Sequence, residues 1–253
     1  MSSIRALIFD VDGTLAETEE LHRRAFNETF AEEGLGWRWD RDLYRELLKT
    51  TGGKERMRAD IRDHGPKVAP DDAKIPEIHK RKTARYAALM AAGEIALRPG
   101  IAALIEDARA RDVRVAVATT TNLPNVDALT RACWGKPADE VFDVIAAGDM
   151  VAAKKPAPDV YLLALERLGL DPADCLAFED SRNGLLSARA AGLRCIVSPG
   201  PYTADQDFAE AGAVLDCFFR RFPRSTGCAR YSRSLPEGKD TPWLQSLPSA
   251  NSA

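Results

Sequence analysis

A short apolar run near the N-terminus, followed by two closely spaced carboxylates, constrains the fold of this chain most. Residues 6–9 are all apolar, Asp10 and Asp12 follow, and the glycine–threonine pair 13–14 completes a tight loop. Such a run is typical of a strand buried on both faces of a parallel sheet. Ligands on such sheets bind beyond the carboxyl ends of the strands. A simple turn capped by Asp10 explains one aspartate but not both, so the pattern predicts an active site in this loop.

The chain after residue 100 alternates between helical and strand patterns. The predicted helices cover 101–111, 126–133, 158–168 and 181–191, and the predicted strands cover 113–118, 144–146, 175–178, 193–197 and 213–215. Alternation of this kind implies right-handed crossovers between parallel strands. The sequence therefore predicts an α/β fold with a doubly wound, Rossmann-like parallel sheet.

The segment between the first loop and residue 97 has a different pattern, because charged and apolar residues recur in it at helical spacing. Glycine and proline interrupt it as loops at 52–53 and 65–66. This pattern predicts a helical cap inserted into the core. The tail is rich in arginine, serine and proline without periodicity, which is typical of disorder. The predicted domains are a core of residues 1–16 and 97–217, a cap of residues 17–96 and a disordered tail of residues 218–253.

Composition argues against several classes of function. A formal net charge of -3 over 253 residues gives no electrostatic reason to expect nucleic acid or an anionic membrane as a partner. No apolar stretch approaches the roughly 20 residues that a membrane span needs, and no leader pattern precedes the first strand. The 5 cysteines include no CxxC pair, which indicates reduced thiols. We therefore expect a monomeric, cytoplasmic protein that acts on a small molecule.

Functional side chains follow three of the predicted strands, and the alternation places them at one edge of the sheet. Two carboxylates about 4 Å apart repel each other by on the order of 4 kcal/mol at an effective dielectric near 20, so a cluster of them needs a cation. Oxygen ligands without histidine or thiolate select a hard ion, and we expect Mg²⁺ rather than zinc. The side chains are the carboxylates Asp10, Asp12, Glu179 and Asp180, the hydroxyl of Thr119, and Lys155 from a loop.

Such a set of groups suits phosphoryl transfer, in which charge spreads over the transferring oxygens. Asp10 would attack phosphorus and form an aspartyl phosphate. Asp12 would protonate the leaving alkoxide and then accept a proton from the hydrolysing water. Thr119 and Lys155 would hold the phosphoryl oxygens, and the 179–180 pair would anchor the metal. Taken singly, each residue fits a helix cap or a solvated surface position equally well, but their joint order favours the catalytic interpretation.

These residues resemble the four motifs of the haloacid dehalogenase superfamily. The motifs are DxDGT at 10–14, a hydroxyl at Thr119, lysine–proline at 155–156 and the acidic pair at 179–180. Within that superfamily, an aspartate at the position of Asp12 makes the chain resemble the phosphatases and phosphomutases rather than the true dehalogenases. Longer runs resemble the CbbY family, at 12–23, 51–54, 117–122, 147–151 and 192–200. That resemblance implies a phosphatase for xylulose-1,5-bisphosphate, an inhibitory by-product of Rubisco in the Calvin cycle.

The CbbY resemblance also implies a role for the cap in substrate recognition. The run Thr51, Gly52, Gly53 and Lys54 would bind the second phosphate of the substrate through backbone N–H groups and a lysine, although an ordinary glycine turn would have the same sequence. The backbone carbonyl of Asp12 would also bind the metal. Further substrate-binding residues implied in this way are Glu17, His22, Tyr44, Lys82, Thr120, Thr121 and Asn122.

The resemblance stops near residue 216. Since the periodic pattern ends abruptly there, one hypothesis is that a reading-frame shift replaced the usual C-terminal helix.

The residues alone are also compatible with two other functions. A sugar phosphomutase of the β-phosphoglucomutase kind would share every catalytic residue. A non-catalytic metabolite-binding protein on the same fold is the second alternative, although a sensor has no need of Asp12.

Overall fold

The computed structural model describes residues 4–215, and its centre is a parallel sheet. The strands are β1 (Ala6–Phe9), β2 (Arg114–Ala118), β3 (Val144–Ala146), β4 (Cys175–Glu179), β5 (Arg194–Val197) and β6 (Ala213–Val214). Their order is β3-β2-β1-β4-β5-β6, and every pairing is parallel. The predicted doubly wound α/β fold is confirmed.

Helices fall into two groups along the chain. Four of them lie between β1 and the next helix of the core, where the cap was predicted, and the others alternate with strands. The helices are α1 (Glu19–Glu32), α2 (Arg41–Leu47), α3 (Gly53–His64), α4 (Ile75–Ala91), α5 (Ile101–Ala110), α6 (Leu123–Trp134), α7 (Ala138–Val141), α8 (Asp159–Leu168) and α9 (Arg182–Ala190). Short 3-10 helices cover Asp72–Lys74 and Pro172–Asp174.

Strand β1 is buried on both faces, as its apolar sequence predicts. Leu7 and Phe9 belong to one apolar cluster, and Ala6 and Ile8 belong to a second cluster on the other face. Successive side chains of a strand point to opposite faces, so a strand between two helical layers needs apolar residues at every position. This arrangement leaves the carboxyl end of β1 as the place where a polar residue follows the buried run.

The strand register brings the chemistry-bearing residues together. The backbone N–H of Asp10 donates to the carbonyl of Phe178 at 2.9 Å, which makes Asp10 a neighbour of Glu179 at the end of β4. Thr119 directly follows β2 on the other side of β1. The site therefore lies beyond the carboxyl ends of three adjacent strands.

A third, aromatic cluster forms the interior of the helical insertion. It includes Phe26 and Phe30 of α1 together with Trp37, Trp39 and Tyr44. The insertion also packs on the core, because α4 contacts α6 and apolar residues of α1 and α4 extend the first core cluster. A separate interior is consistent with the cap boundaries at 17 and 96, which remain a proposal.

Two linkers join the helical insertion to the sheet and run side by side. Ala16 forms an isolated bridge with Leu97 on the returning linker. The buried Arg98 guanidinium then donates to the carbonyls of Gly13 and Ser198. These contacts attach both linkers to the loop that follows β1.

Helix α6 differs from its predicted bounds of 126–133. It begins at Leu123, because the side chain of Asn122 accepts the backbone N–H of Asn125 at 3.0 Å and proline occupies the first turn. Helix α7 and the 3-10 helix at Pro172–Asp174 were missed because elements of one turn carry too little periodicity.

The predicted disordered tail and the reading-frame hypothesis lie outside the described residues. Among the helices of residues 4–215, none has the length and apolar character that crossing a membrane requires.

Candidate active site

A cavity of about 830 Å³ lies between the carboxyl edge of the sheet and the helical insertion. On the core side it is lined by Asp10, Asp12, Lys155, Asp180 and the loop 120–122. The insertion contributes the predicted residues His22 and Lys82 and the run 51–54. Thirteen of the seventeen residues predicted for the site therefore line one cavity.

Lys155 forms hydrogen bonds with two of the carboxylates at once. Its Nζ donates to Asp10 Oδ1 and to Glu179 Oε1, both at 2.6 Å, and to the carbonyl of Ala118 at 2.8 Å. The side chain is only 4% exposed. A lysine ammonium has three donors, and all three are used here. Lys155 is therefore held as a fixed positive charge between two carboxylates.

Burial and like charges shape the acid–base behaviour of this cluster. Burial raises the pKa of Asp10 to about 8, with a further upward contribution from Glu179, although Lys155 opposes both. Burial and the charge of Asp10 raise the pKa of Asp180 well above its usual value. Asp10 and Glu179 raise the pKa of Lys155 despite its burial, which by itself lowers it. One lysine does not neutralise three buried carboxylates, so a further cation is needed to keep all of them ionised.

The carboxylates fit a metal ion. Oxygen atoms of Asp10, Glu179 and Asp180 lie within 4.8 Å of one another. Glu179 Oε2 is buried and has no hydrogen-bond partner, which leaves it available as a ligand. Gly13, at φ +83°, leaves room for the carboxylate of Asp180, because a Cβ at that position would overlap it. Three carboxylates without histidine or thiolate are a donor set for a hard cation.

Asp12 has different partners from the other carboxylates. Its Oδ1 accepts from the hydroxyl of Thr18 at 2.6 Å and lies 3.2 Å from His22 Nε2. Burial tends to raise the pKa of Asp12, but His22, Thr18 and Lys82 lower it overall. In the resting site Asp12 is therefore an ionised carboxylate, the form that accepts a proton.

Lys82 stands behind His22, with Nζ 2.5 Å from His22 Nδ1. Burial, together with the charge of Arg56, lowers the pKa of Lys82 to about 7, while Asp12 and Glu19 oppose the shift. The unfolded chain then binds the proton more tightly than the native state between about pH 7 and the ordinary value of 10.5. Lys82 therefore destabilises the native state most below pH 7, and this destabilisation decreases as the pH rises towards 10.5.

We therefore expect Lys82→Met to be more stable than the wild-type protein by about 1–4 kcal/mol at pH 7. The gain should shrink as the pH rises to 10, and urea unfolding across that range measures it. Lys80→Met, which removes an exposed lysine of the same helix, is the control and should show no such trend. A stability difference for Lys82→Met that stays constant with pH would contradict the assignment.

The start of α3 presents a glycine pair to the cavity. Gly52 precedes the helix at φ 98°, a backbone conformation that favours glycine. Gly53 begins the helix, and a Cβ there would overlap the imidazole of His79. Thr51 accepts a hydrogen bond from the Asn183 side chain of the core at 3.2 Å. The N-terminus of this helix thus lines the cavity, and the unpaired backbone N–H groups of a helix N-terminus suit an anion.

Four predicted site residues do not line the cavity. Tyr44 is fully buried, and its hydroxyl donates to Glu19 at 2.8 Å, so the expected contact with substrate is corrected to support of Glu19. Glu17 pairs with Arg98 at 2.9 Å, at the linker rather than in the lining. Thr119 and Glu179 are buried at the strand ends, directly behind the lining.

Several lining residues were missed from the sequence. Glu19 lies three residues before His22 on α1, and His79 lies three residues before Lys82 on α4. Residues three apart share a helix face, so this spacing was a usable signal. The other lining residues carry no such signal, because polar and charged side chains on loops and helices are usually solvated. These residues include Lys49, Arg56, Lys154, Arg182 and Asn183.

Comparison with known proteins identifies a family model and several relatives that match most of this chain. A family model described as haloacid dehalogenase-like hydrolase matches residues 4–192. Protein CbbY of Cereibacter sphaeroides is 63% identical over 215 residues, which is 85% of this chain and 93% of that protein. The CBBY-like protein of Arabidopsis thaliana is 46% identical over 219 residues, or 84% of this chain and 68% of the relative.

Solved structures of CbbY have the same fold as this chain. The crystal structure of CbbY from Rhodobacter sphaeroides in complex with phosphate has a TM-score of 0.82 at 63% identity and covers 85% of this chain and 95% of its own. Its D10N variant, crystallised in complex with xylulose-(1,5)bisphosphate, matches equally well. The resemblance seen in the motifs thus extends over the described fold. This chain is a haloacid dehalogenase-like hydrolase of the CbbY family, and a phosphatase.

Proposed function

We propose that this phosphatase hydrolyses a sugar bisphosphate, xylulose-1,5-bisphosphate, to xylulose 5-phosphate and phosphate, with Mg²⁺ as its cofactor. The observation that carries the proposal is a single cavity lined by cationic side chains from both the core and the helical insertion. Lys155 and the carboxylate cluster lie at the core end, and the N-terminus of α3 with Lys54 lies on the cap side. The substrate class also rests on the similar CbbY protein crystallised with this bisphosphate.

The cap side of the cavity is strongly cationic. Burial and the charges of Lys82, Lys54 and Lys154 lower the pKa of His79 to about 3, so its imidazole is neutral. Neutral histidine is the expected response to several nearby ammonium groups, and an arriving phosphate would relieve their mutual repulsion. A dianionic second phosphate is therefore the group that this end of the cavity fits best.

Asp10 starts the reaction. A carboxylate oxygen of Asp10 attacks phosphorus, the bond from phosphorus to the sugar oxygen breaks, and its electron pair leaves with the alkoxide. Asp12 gives that alkoxide a proton. The positive charge of Lys155 stabilises the phosphoryl oxygens, and Thr119 is the hydroxyl that we propose to bind them. When bound by Asp10, Glu179, Asp180 and the Asp12 carbonyl, Mg²⁺ would neutralise the charge that develops on the phosphoryl oxygens.

Asp12 completes the second half of the reaction. It accepts a proton from water, whose oxygen attacks phosphorus and displaces the carboxylate of Asp10, so phosphate leaves and Asp10 is regenerated. The lowered pKa of Asp12 suits this step. For the first step Asp12 must carry a proton, and the negative charge of a bound phosphate favours that protonated form.

A phosphate-release screen over pentulose and hexose mono- and bisphosphates tests the function. We expect kcat/KM for xylulose-1,5-bisphosphate to exceed that for xylulose 5-phosphate by about a hundredfold, since one or two charged hydrogen bonds contribute about 3 kcal/mol. Following isomerised sugar against free phosphate in the same reactions separates hydrolysis from phosphomutase activity. Phosphate transfer back to sugar as the main outcome would favour the mutase.

Lys54→Ala tests the site for the second phosphate. We expect it to raise KM about tenfold for the bisphosphate, through loss of a charged contact, and much less for a monophosphate. Lys80→Ala, an exposed lysine outside the cavity, is the control and should leave both values unchanged. Equal effects of Lys54→Ala on both substrates would remove this lysine from the proposed role.

A further inference from the structure

Tyr161 of α8 contacts the carboxylate cluster from behind, out of reach of the cavity. It is fully buried, and its hydroxyl donates to Glu179 Oε1 at 2.6 Å. Burial and the negative charge of Glu179 raise the pKa of this hydroxyl well above its usual value, so it stays protonated and can only donate towards the carboxylate. None of the catalytic steps above uses this group.

The two oxygens of Glu179 are in unlike surroundings. Oε1 accepts from both Tyr161 and Lys155, each at 2.6 Å. Oε2 is buried without any hydrogen-bond partner. A buried carboxylate oxygen left without a donor is costly, and a cation is the partner that compensates for it best.

Gly184 of α9 limits where that second oxygen can lie. A Cβ on Gly184 would overlap the carboxyl group of Glu179, chiefly at Oε2. The backbone at Gly184 is ordinary α-helix, so glycine is required there for space and not for conformation. The carboxylate is therefore confined between Tyr161 on one side and α9 on the other.

The ring of Tyr161 has a second contact with the same group of residues. Lys155 Nζ lies 5.0 Å from the ring centroid, within the range of a cation–π interaction. Replacing tyrosine by phenylalanine would keep the ring contact and remove only the hydroxyl.

We propose that Tyr161 is a positioning residue for the metal site: its hydroxyl, with Lys155, holds Glu179 Oε1 and so presents Oε2 to the cation. The inference rests on the proposed Mg²⁺ dependence and deepens it. Hydrogen bonds of this kind orient a ligand before the ion arrives, and their loss typically weakens metal affinity by about 10- to 100-fold.

The test compares Tyr161→Phe with the wild-type protein by isothermal titration with Mg²⁺ in the absence of substrate. We expect the Kd for Mg²⁺ to rise at least about tenfold. At saturating Mg²⁺, kcat should return to near the wild-type value, because the hydroxyl does not touch the reacting atoms. The rise in melting temperature on adding a fixed concentration of Mg²⁺ should be smaller for the variant, which gives a second readout.

Tyr44→Phe is the matched control. It also removes a buried tyrosine hydroxyl that donates to a glutamate, here Glu19 at 2.8 Å in the cap, and it should bind Mg²⁺ as the wild-type protein does. Wild-type affinity in Tyr161→Phe, or an equal loss in both variants, would overturn the proposal. Absence of Mg²⁺ binding by the wild-type protein would instead refute the proposed cofactor, and with it this inference.

Discussion

Asp10→Asn is expected to reduce phosphate release by about 10⁴-fold or more, as loss of a catalytic nucleophile does in other hydrolases. The amide has nearly the shape of the carboxylate but cannot form the aspartyl phosphate. Its oxygen still accepts from Lys155, so the geometry of the cluster should survive. Steady-state phosphate release, together with binding of the bisphosphate to the inactive variant, measures both effects.

Stability provides an independent check on the same variant. Burial raises the pKa of Asp10 to about 8, so the native state binds more protons than the unfolded chain between the ordinary value of 3.8 and 8. The contribution of Asp10 to stability therefore falls as the pH rises through this window. We expect metal-free Asp10→Asn to melt no lower than the wild-type protein at pH 8.

Asp149→Asn is the control for the Asp10 experiment, since it changes an exposed aspartate at the cavity rim. It should retain nearly all activity. Appreciable turnover by Asp10→Asn would refute its role as nucleophile.

Lys155→Met is expected to have the second large effect, on stability as well as on rate. Removing the lysine leaves Asp10 and Glu179 buried without their shared counter-charge, and breaking a buried pair in this way costs about 3–5 kcal/mol. Phosphate release should fall together with stability, because the positive charge of the same ammonium is proposed to stabilise the phosphoryl oxygens. Urea unfolding in metal-free buffer measures the first effect.

Added Mg²⁺ should recover part of the stability lost in Lys155→Met, because an ion that binds only the native state stabilises it by mass action. Lys154→Met is the matched control for stability, since the neighbouring lysine is half-buried and is expected to matter by no more than about 0.5 kcal/mol. Equal stability of the two variants would show that Lys155 does not balance the buried carboxylates.

The core of the fold was predictable because it depends on local patterns. The apolar run of β1 and the alternation after residue 100 indicate a parallel sheet, and the observed strands start and end within one residue of the predicted bounds. Parallel strands meet at one edge, so their order alone brings Asp10, Thr119 and Glu179 together. The carboxylate cluster could be predicted for this reason.

The site residues of the helical insertion were harder to predict, since they reach the cavity only through helix packing. The spacing of apolar residues predicted the helices, but it did not predict which face of each helix points towards the site. Tyr44 shows the consequence: a tyrosine expected at the substrate is buried against Trp39, with its hydroxyl on Glu19. Glu19 and His79 lie three residues before His22 and Lys82 on the same helix faces, and only that spacing marked them as lining residues.

By itself, the sequence determined the sheet, the loop after β1 and the identity of the charged groups at its edge, because strand period and motif order are properties of neighbouring residues. Only the tertiary structure decided how those groups share their partners. Lys155 is placed between Asp10 and Glu179, Tyr161 takes one oxygen of Glu179, and Gly184 confines the other. The contacts of Lys155 and Tyr161 join residues at least 18 positions apart in the chain, and burial among packed helices sets their distances and shifts the pKa values of Asp10, Lys155 and Tyr161.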